Sequence, residues 1–203
     1  MGTKNTREVL LRTAINLFYQ KGYSDTSIRE IGAKAGISNS LLYHYFKNKE
    51  EILFEIVRAA SEDLIQILHE AQERVPDPVE CLREMLTAHI VLFSLRRKKE
   101  AKIVVSDHYW LRGKRQEFVE NNQREIYDIY LEKLKELKER GLLKDVDLRV
   151  LNFSIFGMIN WFFRWYKEGG SLSKEDVAEN IIKFAFDGII EQSPKGGKVM
   201  PTK

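Results

Sequence analysis

Helix breakers are scarce in this chain, and that constrains its fold most. Four prolines and twelve glycines punctuate 203 residues. Between them apolar residues recur every three or four positions, which places them on one face of a helix rather than in a strand. The expected fold class is therefore all-α, with about nine helices. A chain this long buries roughly 70% of the surface of its unfolded form and needs no covalent staple. One cysteine, Cys81, excludes an internal disulfide and a cysteine-based zinc finger. Apolar residues at 43% and charged residues at 31% rule out general disorder. Met1 to Arg12 has no apolar signal-peptide core, so a cytoplasmic location is expected.

Start and stop signals divide the amino-terminal quarter. Leu10, Ala14, Leu17 and Phe18 form one stripe, and Gly22 ends that first helix. Ser27-x-x-Glu30 reads as a capping box for a second helix, with Ile28, Ile31 and Ala35 on one face and Gly36 as its stop. Ser38 caps a third helix, Asn39 to Tyr45, which turns Leu42 and Phe46 inward. Asn48-x-x-Glu51 opens a fourth over residues 48–72, with Ile52, Ile56, Ala60 and Leu64 inward, and Pro76 and Pro78 end it. Two short helices around the Ala35-Gly36-Ile37-Ser38 turn, braced by a longer one, make a helix-turn-helix. The expected organisation is a head over residues 1–49, a body over 50–192 joined through the fourth helix, and a disordered tail over 193–203. The head holds eight basic groups and three acidic ones, although the whole chain is only +3. Surplus positive charge at one end points to a polyanionic partner for that end.

The stretches Phe18-Tyr19-Gln20-Lys21-Gly22-Tyr23, Thr26-Ser27-Ile28-Arg29-Glu30-Ile31, Ala35-Gly36-Ile37-Ser38 and Leu42-Tyr43-His44-Tyr45-Phe46-Lys47-Asn48-Lys49-Glu50 resemble the amino-terminal domain of TetR-type transcriptional regulators. The resemblance spans about residues 5–60 and implies a double-stranded DNA operator as partner. A helix fits the major groove, where each base pair shows a distinct edge. Ser38, Asn39 and Ser40 present small polar groups at the start of the third helix. Tyr43, His44 and Tyr45 can reach phosphates with their polar tips or stack their rings on bases. Thr26, Ser27 and Arg29 head the second helix and Lys49 the fourth, where they are expected to grip the DNA backbone. One reader covers few base pairs, so a homodimer on a palindromic site is expected.

Beyond Pro78 the apolar spacing predicts helices over 79–97, 113–140, 147–168 and 174–191, and a further helix over 99–111. Phe162, Ile181, Phe184, Ala185 and Gly188 are candidates for the dimer interface, because apolar stripes with small residues let helices approach closely. The resemblance implies the same, a four-helix bundle built from the last two helices of each copy. Residues 147–168 are apolar on nearly every side, which predicts burial all round, by protein or by ligand. Phe156, Asn160, Trp161, Arg164 and Trp165, with His108 and Trp110, are the candidate ligand-binding residues.

The run Gly157-x-x-Asn160-Trp161-x-x-Arg164-Trp165-Tyr166, followed by Gly169-Gly170, is similar to a TetR subgroup that senses acyl-CoA thioesters. That implies a hydrophobic small-molecule effector, an acyl-CoA, whose release of a repressor would govern fatty-acid or sterol-ring degradation. Arg96, Arg97, Lys98 and Lys99 either receive CoA phosphates or form a solvated charge run. Two alternatives stand beside this: a drug-like effector controlling efflux, and an architectural nucleic-acid binder with no effector. The fourth helix, a rod of about 38 Å at ~1.5 Å per residue, is expected to carry the signal from pocket to head.

No enzyme is expected. The sequence holds no glycine-rich phosphate loop, no His-Glu-x-x-His and no Cys-x-x-Cys. No resident cofactor, metal site or membrane span is expected either, since His44 has no second ligand at a usable spacing and Asn160 and Arg164 interrupt the most apolar segment.

Overall fold

The second, third and fourth helices start at the capping residues that the sequence offers. The computed structural model describes residues 3–166 and 170–190, with the side chains of residues 3, 4, 92, 162–164, 174 and 189 outside that description. The tail over 193–203 also lies outside the described residues. Four helices open the chain: α1 (Thr3–Lys21), α2 (Ile28–Ala35), α3 (Asn39–Tyr45) and α4 (Lys49–Arg74). Ser27 Oγ accepts the Glu30 N–H at 3.1 Å, Ser38 Oγ that of Leu41 at 3.3 Å, and Asn48 Oδ1 that of Glu51 at 2.8 Å. Each acceptor satisfies an N–H with no partner inside its helix. The Ser27 box closes on one side only, because the Glu30 carboxylate pairs with Lys21 at 2.6 Å and ties α2 to the end of α1.

Gly36 reverses the chain between α2 and α3 with φ +68°. The N–H groups of Gly36 and Ile37 return to the carbonyls of Ala33 and Gly32, a helix stop that a β-carbon would strain. Gly32 answers a different demand. A β-carbon there would stand 2.9 Å from Leu42 Cδ1 and 3.3 Å from the Ile37 carbonyl, so its small size sets how closely α3 packs on α2.

The rest of the chain forms α5 (Pro78–Thr87), a π-helical segment (Ala88–Leu95), α6 (Lys98–Asp107), a 3-10 turn (His108–Trp110), α7 (Gly113–Glu139), α8 (Leu148–Trp165) and α9 (Lys174–Ile189). The fold is all-α, with nine α-helices among the described residues and one isolated antiparallel bridge, Leu143 to Ile190. The helix expected over 79–97 is regular only as far as Thr87. Its continuation widens to i→i+5 pairing, and His89, Ile90, Phe93 and Ser94 all turn inward.

Apolar packing gathers into two clusters that share α4. In the head, Leu10, Phe18, Ile31, Leu42 and Phe46 meet Ile52, Leu53 and Val57, and Ile103, Leu111 and Val119 join them from the body. Further along α4, Ala60, Leu64, Leu68 and Ala71 enter the body core with α5, α7, α8 and α9. The head core therefore runs past residue 49. α8 corrects a second expectation: Asn152, Ile155 and Ile159 are buried, whereas Val150, Phe153, Trp161 and Trp165 are exposed. Its own chain covers one side of this helix and leaves an apolar stripe outside.

Candidate functional site

The head presents a polar face around α3. Asn39, Ser40, Tyr43 and His44 are exposed on successive turns while Leu42 is fully buried. Ser27, Arg29 and Ser38 are exposed beside them, as are Lys34 and Lys47. Three expected contacts face elsewhere. Thr26 is buried, and its hydroxyl donates to the Gly22 carbonyl at 2.9 Å, closing the α1–α2 turn. Tyr45 is half-buried against the head core, edge-on to His44. Lys49 donates to the carbonyls of Tyr23 at 2.6 Å and Ser24 at 3.3 Å, with its ammonium 4.1 Å from the Tyr23 ring centroid. Partial burial pushes its pKa down. These three side chains hold the head together instead of reaching outward.

The body contains a cavity of about 380 Å³ between α4, the π segment, α6, α7 and α8. Leu64, Phe93, Val104, Ile126, Tyr127, Phe153 and Phe156 supply its apolar wall, and His89, His108, Gln123 and Asn160 its polar groups. Of the expected ligand-binding residues, His108, Phe156 and Asn160 border it. Trp110 does not: it packs at the junction with the head, its ring 5.8 Å from Tyr23 and 5.6 Å from Tyr109. Trp161 and Trp165 line a separate surface groove with Gly157, Leu172, Ile181 and Phe184. The physical reason is helical phase, since Phe156 and Asn160 share the inner face of α8 and Trp161 and Trp165 lie on its outer face. The side chains of Phe162 and Arg164 lie outside the described residues.

Among the dimer candidates, Phe184 is 73% exposed and Gly188 is exposed with open space beside it. Ile181 is half-buried on the groove. Ala185 is corrected: it is buried in the body core.

α6 touches both regions. Val104 and Val105, with His108 just beyond, border the cavity. From the same helix Lys99 donates to Asn16 at 2.6 Å and Lys102 to the Tyr19 carbonyl at 3.0 Å, both on α1. Of the basic run weighed as a phosphate receiver or a solvated charge run, Arg97 pairs with Asp63, Lys98 lies 5.4 Å from the Tyr166 ring centroid and Arg96 is exposed.

His89, Tyr127 and Phe153 escaped the reading of the sequence. One signal was available for His89, an imidazole inside the apolar run Ala88–Leu95. Its partner Tyr130 lies 41 residues away, beyond any local pattern. Among the described residues no three His, Cys, Asp or Glu side chains converge as a metal site, and no helix is long and apolar enough to cross a membrane.

Residues 10–56 match the family described as bacterial regulatory proteins, tetR family, and residues 75–189 match the tetracyclin repressor-like C-terminal domain. The chain belongs to the TetR family. It is thereby a DNA-binding transcriptional regulator and not an enzyme. Among TetR-family relatives, the HTH-type transcriptional repressor KstR2 of Mycolicibacterium smegmatis is 28% identical over 193 residues, covering 91% of each chain. AibR, solved in complex with isovaleryl coenzyme A and operator DNA, is 29% identical with a TM-score of 0.81 over 88% of this chain and 97% of that one. KstR2 of Mycobacterium tuberculosis, at 22% identity and a TM-score of 0.84 over 95% and 97%, shares the TetR fold.

Proposed function

We propose that this TetR-family protein is a homodimeric repressor that leaves a palindromic operator when an acyl-CoA-like effector enters the body cavity. The observation that carries the proposal is the double engagement of α6, which forms cavity wall on one side and holds α1 of the head on the other. A ligand that favours one cavity shape shifts α6, and α1 moves with it. The ligand must bind the two shapes unequally for this to work. α4 offers a parallel route, since Leu64 borders the cavity and Val57 lies in the head core.

Exposed Ser27, Arg29, Ser38, Asn39, Ser40, Tyr43 and His44 form the DNA face in this reading. Trp161 and Trp165 on the outer face of α8, with Phe184 and Gly188 of α9, form the dimer face. The cavity suits an acyl group and part of a pantetheine arm, being mostly apolar with few polar groups. The isovaleryl coenzyme A bound to AibR supports that choice.

Fluorescence anisotropy with a selected operator duplex tests the reading. Isovaleryl-CoA and longer acyl-CoAs are expected to weaken operator binding, and an operator affinity indifferent to every thioester that raises the melting temperature would refute it. Lys102→Met is expected to keep thioester binding while the effector-induced loss of operator affinity shrinks on the order of tenfold, within the usual range of allosteric coupling. Arg29→Ala is expected to weaken operator and random duplex alike and to lower the slope of log affinity against log salt by about one. An unchanged slope would remove Arg29 from the phosphate contacts.

A further inference from the structure

His89 sits on the π segment, 3% exposed, with Phe93, Tyr130 and Phe156 around its ring. Burial holds its pKa down to about 3, so the imidazole is neutral at physiological pH and carries one N–H and one bare nitrogen. Tyr130 decides which is which. Its hydroxyl oxygen lies 3.2 Å from His89 Nδ1 and 3.2 Å from the Met85 carbonyl. A carbonyl only accepts, so the tyrosine proton goes to Met85. The oxygen then accepts from Nδ1–H, and Nε2 keeps its lone pair. Tyr130 is fully buried behind the ring while His89 borders the cavity, which leaves the Nε2 edge as the part offered to a ligand.

We infer that His89 determines specificity, and that the cavity prefers an effector with a hydroxyl or amide N–H on its buried part over one with a plain saturated chain. This rests on the reading that an effector occupies the cavity, and not on that effector being a thioester. Gln123 and Asn160 also border the cavity, but an amide can rotate to offer donor or acceptor and so does not choose between a donor and an acceptor on the ligand. His89 has no such freedom: Tyr130 and Met85 hold its tautomer, and burial keeps it from becoming a donor by protonation. A saturated chain would leave Nε2 unpaired, and sites built around a buried polar group reject analogues that lack its partner.

The test compares 1-octanol with n-nonane, which have equal heavy-atom counts, and 3-hydroxyoctanoyl-CoA with octanoyl-CoA. Binding is measured to the full-length protein and to its His89→Phe and His89→Gln variants. The alcohol-to-alkane affinity ratio is expected to fall on the order of tenfold in His89→Phe and to recover in His89→Gln, which keeps an acceptor. Nitrogen-15 NMR of the unliganded protein is expected to show Nε2 unprotonated throughout the neutral range, and Tyr130→Phe to release a mixture of tautomers. That measurement needs no folded His89 variant. An unchanged ratio in His89→Phe, a protonated Nε2, or binding of neither octanol nor nonane overturns the inference. A retained alcohol preference with neither thioester bound supports it and removes the thioester reading alone.

Discussion

Replacing Phe184 with glutamate is expected to turn the protein into a monomer and to abolish cooperative operator binding. Phe184 is 73% exposed on α9, beside Trp161 at 59% on α8, so in a single chain the two large rings face water. Covering a phenylalanine is worth roughly 1.5–3 kcal/mol, and two-fold symmetry places the substitution twice in one interface. Losing only the lower value at both copies weakens the dimer more than about 100-fold, before any cost of burying two like charges. Operator affinity is expected to follow, because in the proposed dimer each head reads one half-site. Sedimentation equilibrium and anisotropy measure the two effects. Thermal melting is the control, since an outward side chain leaves the fold within about 0.5 kcal/mol. A variant that still sediments as a dimer would move the interface off this face.

The second large effect is expected from Gly32→Val. The first added carbon already stands 2.9 Å from Leu42 Cδ1 and 3.3 Å from the Ile37 carbonyl, and valine brings two more. Leu42 is fully buried in the head core, so it cannot swing aside, and α3 must lift away from α2. Overpacking of this kind typically costs about 1–3 kcal/mol. The gain in helix propensity over glycine is smaller, at most about 1 kcal/mol. The melting temperature falls, and operator binding falls further than the folded fraction does, because α3 carries Asn39, Ser40, Tyr43 and His44. Gly32→Ala separates the causes: it keeps the close contact with less bulk and is expected to show a graded loss. Wild-type affinity in the valine variant would mean that the α2–α3 spacing is not critical.

Glycine 32 was silent in the sequence, whereas Gly36 was not. A helix stop depends on the backbone of a few successive residues, and the pattern Ala35-Gly36-Ile37-Ser38 carries it locally. Close approach at Gly32 depends on a side chain ten positions on, after the chain has reversed. The same division explains Lys49, whose place at the start of the fourth helix suggested DNA contact. Lys49 instead found carbonyls 25 and 26 residues earlier, which offset part of what its half-buried ammonium loses on leaving water. Trp110 likewise found Tyr23 of the head.

By itself the order of residues determined most of the helices, the caps of α2 to α4, the turn of the amino-terminal motif and the charge imbalance between head and body. All of these rest on contacts within about four residues or on simple counting. Only the folded chain decided which side of α8 meets the cavity, that Ala185 closes the core while Phe184 faces out, that α6 joins cavity to head, and that Tyr130 sets the proton on His89. The last two of those outcomes depend on groups 83 and 41 positions apart in the chain. Helical spacing says that a residue has a buried side to join, but packing chooses the neighbour.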